Sequence, residues 1–170
     1  MKCLLIIDVQ KGFVSQKTDF VLPRIEKLMN AFCGGPIIAT KFVNRGGPFD
    51  AIMHWKRLAT SPEIDLIPFV EEKADYVIEK NIYSSCTDQV EALFRRFQVT
   101  EAYIAGIDTD CCVLKTALDL FEQDIRPIVL THYCASNGGE ESHAAAITVL
   151  ERNIGAPQII MGDELPDFGM

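Results

Sequence analysis

The feature that most constrains this chain is an alternation. Short apolar runs recur at 2–7, 36–43, 76–80, 102–105, 125–130 and 158–161, and stretches with helical spacing separate most of them. Apolar runs of four to eight residues without strict alternation fit strands buried on both faces. Such strands, joined by helices, build a parallel sheet covered on both sides. The expectation is a three-layer α/β/α sandwich around a mainly parallel, six-stranded, Rossmann-like sheet. A length of 170 residues suits a single domain over 1–170 with a sizeable core.

Local signals place the helices. In 22–33, Pro23 suits the first turn, Ile25, Leu28, Met29 and Phe32 form an apolar stripe, and Gly34-Gly35 stops it. A helix over 88–97, capped by Ser85 or Thr87, carries Val90, Leu93, Phe94 and Phe97. Further helices are expected at 113–124 and at 140–153, the latter with Ala144, Ile147, Leu150 and Ile154 inward. Residues 132–139 read as the exit loop of the strand at 125–130. The stretch 44–75 is irregular, broken by Gly46-Gly47-Pro48, Pro62 and Pro68, and allows a helix over 50–58. Long insertions of this kind often cover an active site. Phe49, His54 and Trp55 there either face a substrate or pack beneath the loop.

The totals exclude several function classes. With 16 Lys and Arg against 24 Asp and Glu, the net charge of -8 argues against a nucleic-acid surface. No apolar run approaches the roughly 20 residues of a membrane span. Asp8 ends the first run too early for a signal peptide, so a cytoplasmic location is expected. The six cysteines lie in apolar segments and read as buried free thiols rather than disulfides. No C-x-x-C pair or His-rich spacing suggests zinc.

Three of the apolar runs lead into chemically capable residues: Asp8, Lys80 and Cys112. Singly, the first reads as a turn aspartate and the second as solvated surface. In a parallel sheet, however, the carboxyl ends of the strands share one edge, where ligands bind. Cys112 also stands on the first turn of the helix expected from 113. Unpaired N–H groups there, and the Lys80 ammonium, favour thiolate.

Four stretches carry a resemblance to a known family. Asp8, Gln10 and Phe13 fall as D-x-Q-x-x-F, and Lys80 and Ser84 as K-x-x-x-S. Gly106 to Ala117 reads G-x-x-T-D-x-C-V-x-x-T-A, and a tail motif runs from Ala135-Ser136 to His143-Ala144. In order and spacing these resemble the isochorismatase-like cysteine hydrolases, relatives of nicotinamidases and N-carbamoyl amidohydrolases. The resemblance implies Cys112 as nucleophile and Asp8 as the acid and base. Lys80 orients Asp8 and stabilises anions. The backbone N–H groups of Asp108 and Cys112 would form an oxyanion hole, with a cis peptide between Ile107 and Asp108. Cys111 falls at a variable position and is expected to pack away from the pocket, because consecutive helical residues do not share a face.

The departures from the pattern carry information too. Nicotinamidases have a D-x-H motif and a second histidine after the second strand, holding a metal. Here that region is 42–49, with only His54 nearby, so no catalytic metal and no cofactor are expected. Isochorismatases that cleave a vinyl ether generally lack the cysteine, so Cys112 favours C–N hydrolysis of a small amide, ureido or carbamoyl compound through a thioester. A thiol-based redox role for Cys111-Cys112 and a vinyl-ether hydrolase are the alternatives. Phe13, Trp55 and Tyr83 are the candidate substrate walls. His132 stands where many members carry an acid, and either lines the pocket or is a satisfied loop histidine. The expected partner is a small-molecule substrate, with neither nucleic acid nor membrane. The resemblance also implies a homo-oligomer, dimer or tetramer.

Overall fold

A computed structural model describes residues 1–164 and 168 of the expected 1–170 domain. Six strands form one sheet: β1 (Lys2–Ile7), β2 (Ile37–Phe42), β3 (Tyr76–Lys80), β4 (Glu101–Ile107), β5 (Arg126–Ala135) and β6 (Ile159–Ile160). Their order is β3-β2-β1-β4-β5-β6, and each neighbouring pair is parallel. The order reverses between β1 and β4, which leaves a crevice at their carboxyl ends.

The apolar runs are continuous because both faces of the sheet are covered. Along β1, Leu4 and Ile6 enter one core with α1 (Leu22–Ala31) and α3 (Pro68–Lys73). Cys3, Leu5 and Ile7 enter the other, with α4 (Asp88–Phe97), α5 (Leu114–Glu122) and α6 (Glu140–Ile154). This is the expected three-layer arrangement. The Thr87 side chain caps α4, accepting from the Val90 N–H. No helix among the described residues is long and apolar enough to cross a membrane.

Several expectations need correction. The helix over 50–58 contracts to α2 (Pro48–Ala51), and α3, short and opened by Pro68, was not anticipated. The strand from 125 runs on to Ala135, so 132–135 is strand rather than exit loop. Between the pairs Ile104–Val129 and Gly106–Cys134 the register shifts, as in a bulge. That irregularity lets polar Thr131 and His132 sit in a strand whose sequence there no longer reads as apolar. In α6 Ala146, not Ala144, is buried, beside Leu150 and Ile154. Cys33 is exposed, unlike buried Cys3, Cys112 and Cys134.

A third, smaller apolar cluster of Phe42, Phe49 and Leu58 anchors the 44–75 segment above the sheet edge, with Phe13, Trp55 and Ile64 packed on it. Buried Gln10 ties it down. Its amide donates to the carbonyls of Phe42 and Ile64, both at 2.8 Å, and accepts from the Phe42 N–H at 2.7 Å.

Gly106 sets how closely β4 approaches β1 beside the crevice. Its φ is +140°, and a Cβ there would lie 2.1 Å from the Ile7 carbonyl oxygen. Gly106→Ala should therefore lower unfolding stability by about 2–4 kcal/mol, measured by urea denaturation. A change within about 0.5 kcal/mol would contradict this packing.

Candidate active site

Asp8 directly follows β1, and there the chain leaves the sheet through a left-handed turn, with φ +51°. Its carboxylate is fully buried. Oδ1 accepts from the Thr40 hydroxyl at 2.8 Å, and the Lys80 ammonium lies 2.6 Å from Oδ2. Lys80, at the end of β3, donates to the carbonyls of Ile82 (2.9 Å) and Tyr83 (3.0 Å) and to Cys112 Sγ (3.5 Å). Those contacts match its three N–H groups. The approach to Asp8 Oδ2 is thus an ion pair, and Oδ2 has no other partner among the described residues.

The structure brings Asp8, Lys80 and Cys112 together, but not from three adjacent strands. β2 lies between β1 and β3, and Lys80 reaches across it. Thr40 of β2 fills the gap beneath, holding Asp8. Sequence reasoning missed Thr40, which sits in an apolar run and carries no separate signal.

The electrostatics correct a second expectation. Burial, then the Asp8 charge, push the Cys112 thiol well above its ordinary range, and Lys80 only partly opposes them. Both effects favour the thiol over the thiolate. Burial acts to lower the Lys80 pKa, but the Asp8 charge opposes it and the pKa is held raised, as an ammonium.

Cys112 lies in a π-helical turn, Thr109–Val113, that precedes α5. The Asp108 carbonyl accepts from the N–H groups of Cys111 and Val113, both at 3.2 Å, and the Ile107–Asp108 peptide bond is cis. Side chains from the β5–α6 segment brace this turn. Thr109 Oγ1 meets His143 Nδ1 at 2.8 Å, and Ser136 donates to Asp110 at 2.5 Å. Asn137 donates twice to Asp108 Oδ1, through N–H and Nδ2, each at 2.9 Å. Its Nδ2 also donates to the Phe13 carbonyl. Asn137 was read only as loop, because an Asn-Gly-Gly sequence signals a turn and nothing of what its side chain holds.

A cavity of about 250 Å³ opens over Cys112. Phe13, Trp55 and Tyr83 line it as expected, joined by Phe42, Phe49 and Met53; Arg57, Asp108 and Asn137 supply the polar atoms. Cys111 lines it as well, contrary to expectation. Cys111 and Cys112 stand in the π-helical turn before α5 and not within the regular helix, so the rule for faces of an α-helix does not separate them. His132 does not line it: the ring, in β5, faces the Arg24 guanidinium. His54 is exposed and also stands outside the lining.

Residues 2–159 match the isochorismatase domain family. An uncharacterised isochorismatase family protein, PncA of Bacillus subtilis, is 35% identical over 82 residues. That stretch spans 48% of this chain and 44% of the relative, so the match covers less than half of that protein. Among solved structures, N-carbamoylsarcosine amidase from Thermoplasma acidophilum aligns with a TM-score of 0.80 or better, at 0.82, with 19% identity over 96% of this chain and 98% of that one. Nicotinamidase/pyrazinamidase PncA from Bacillus subtilis gives 0.79, with 23% identity over 94% and 99%. At these identities the structural likeness is one of fold.

The opposing effects of Asp8 and Lys80 on the thiol give a signed prediction. Asp8→Asn removes the repulsive charge and leaves the ammonium, so the Cys112 pKa should fall. Iodoacetamide should then alkylate Cys112 at neutral pH about tenfold faster or more, read by peptide mass spectrometry. Slower alkylation than in the unaltered protein would show that Asp8 does not hold the thiol protonated.

Proposed function

The chain belongs to the isochorismatase family of hydrolases, and from that premise we propose that it hydrolyses a C–N bond of a small amide, ureido or carbamoyl compound through a Cys112 thioester. The observation that carries this reading is the contact of Cys112 Sγ with the Lys80 ammonium, itself paired with Asp8, at the wall of an apolar cavity.

The steps follow from the protonation states. Asp8 takes the thiol proton as Cys112 sulfur attacks the carbonyl carbon, and the carbonyl π electrons move to oxygen. The N–H groups of Asp108 and Cys112 receive the oxyanion. Donors of this kind are typically worth about 10²–10³ in rate. Collapse of the tetrahedral species breaks the C–N bond, and Asp8 returns the proton to the leaving nitrogen. Asp8 then takes a proton from water, whose oxygen attacks the thioester carbonyl. Sulfur leaves, takes the proton from Asp8, and the acid departs. Lys80 remains an ammonium throughout, offsetting the negative charge that moves between sulfur, carboxylate and oxyanion. Side chains and backbone carry every proton and charge in this scheme.

A redox role for the Cys111-Cys112 pair finds less support. Burial and nearby carboxylates push Cys111 up to about 12, and Cys112 is raised as well, so neither is a ready thiolate. Attack through Asp8 needs no resting thiolate, whereas thiol oxidation does.

Cys112→Ala should reduce ammonia release from an active amide by about 10³-fold or more. The measurement is coupled ammonia detection across a panel of small primary amides and ureido compounds. Undiminished turnover in the variant would remove Cys112 from the mechanism.

A further inference from the structure

The proposed chemistry uses the backbone of Asp108 but gives no task to its side chain. Asp108 is one of the residues that line the cavity. Both Asn137 donors go to Oδ1, and no hydrogen bond from the described residues reaches Oδ2. Of the two charged residues lining the cavity, Arg57 already has a counter-charge. Its Nε donates to Glu63 at 2.9 Å, and it also donates to the Gly12 carbonyl at 3.0 Å. Asp108 has no cationic partner among the described residues. Lys80 is committed to Asp8 and two carbonyls.

The remaining walls suit a cation as well. Phe13 and Trp55 lie nearly parallel, with 17° between their planes and 6.3 Å between ring centres. Phe49 meets Tyr83 edge-on at 5.0 Å and Phe42 at 4.9 Å. Aromatic faces attract cations through the negative potential above the ring, most strongly where water is excluded. An apolar substrate would use this wall alone and leave a partly desolvated carboxylate without a counter-charge, which is costly. An anionic substrate would add repulsion from Asp108. A cation satisfies both the wall and the acid.

We infer that Asp108 is a specificity-determining residue and that the substrate is an amide bearing an ammonium group, protonated or quaternary, close to the scissile carbonyl. This deepens the proposed function and rests on the same cavity. The Asp108 carboxyl, raised by burial to about 6 despite the Asn137 hydrogen bonds, is still largely ionised at neutral pH. It is therefore charged when such a substrate arrives.

Two isosteres separate charge from shape: glycine betaine amide, with a trimethylammonium group, and 3,3-dimethylbutanamide, with a neutral tert-butyl group. Trp55 is the only tryptophan, so its fluorescence reports occupancy of the cavity without turnover. In the Cys112→Ala protein, the cationic amide should bind about tenfold tighter than the neutral one. Adding Asp108→Asn, which keeps an acceptor for Asn137, should reduce that preference to about twofold or less. Phe13→Leu, which keeps an apolar wall, should narrow it about threefold and serves if the Asp108 variant does not fold. Equal binding of the two amides, tighter binding of the neutral one, or a preference unchanged in the variants would overturn the inference. Failure of the unaltered protein to hydrolyse any amide would instead count against the Cys112 mechanism, and the binding comparison would still decide the role of Asp108.

Discussion

The structure depends on one buried ion pair. Asp8 and Lys80 meet at 2.6 Å with neither side chain exposed to solvent, inside a sheet otherwise chosen for apolar residues. Removing two charges from water costs several kcal/mol per ion, and the attraction offsets that only when the remaining polar atoms are also satisfied. The surroundings do so for all but one carboxylate oxygen, Oδ2, whose partner is the ammonium itself. Thr40 donates to one carboxylate oxygen, while the Ile82 and Tyr83 carbonyls and Cys112 take the ammonium protons. A pair so arranged adds little to stability compared with well-packed apolar residues. Its value lies in chemistry, because it places a base and a fixed cation beside a thiol away from bulk water.

The same pair explains why the thiol rests protonated. Burial penalises the thiolate, and a carboxylate nearby penalises it further, while Lys80 attracts it. The balance keeps the proton on sulfur, so in the proposed mechanism a base is needed for the attack, and Asp8 is the carboxylate placed to supply it. The turn that carries Cys112 is held in turn by Asn137, Ser136 and His143, from a segment more than twenty residues downstream in the chain. Site geometry is consequently a property of the folded sheet edge and not of any local motif.

Much of the fold was legible in the sequence because apolar runs of strand length, buried on both faces, have few other solutions. Asp8, Lys80 and Cys112 were legible as candidates because a charge or thiol beyond such a run marks the functional edge. Other features were not. Thr40 is hidden within a buried strand, and its role depends on β2 lying between β1 and β3, an order that alternation alone does not specify. The direction of the Cys112 shift required knowing that burial and Asp8 outweigh Lys80. Cys111 was misplaced because the two cysteines stand in a π-helical turn, where the face rule for a regular α-helix does not apply. β5 was cut short where polar Thr131 and His132 interrupt the apolar signal. The side chain of Asp108 gave no separate signal, since its unpaired oxygen is visible only once Asn137 is seen to engage the other.

The central claim is that sulfur of Cys112 becomes covalently acylated during turnover. Rapid acid quench of the enzyme with an amide that it hydrolyses, followed by peptide mass spectrometry, tests this most directly. The account predicts an acyl increment on the peptide containing Cys112, localised to that residue, which appears within the first turnover and disappears as substrate is exhausted. Steady hydrolysis with no acyl increment on Cys112 would contradict it.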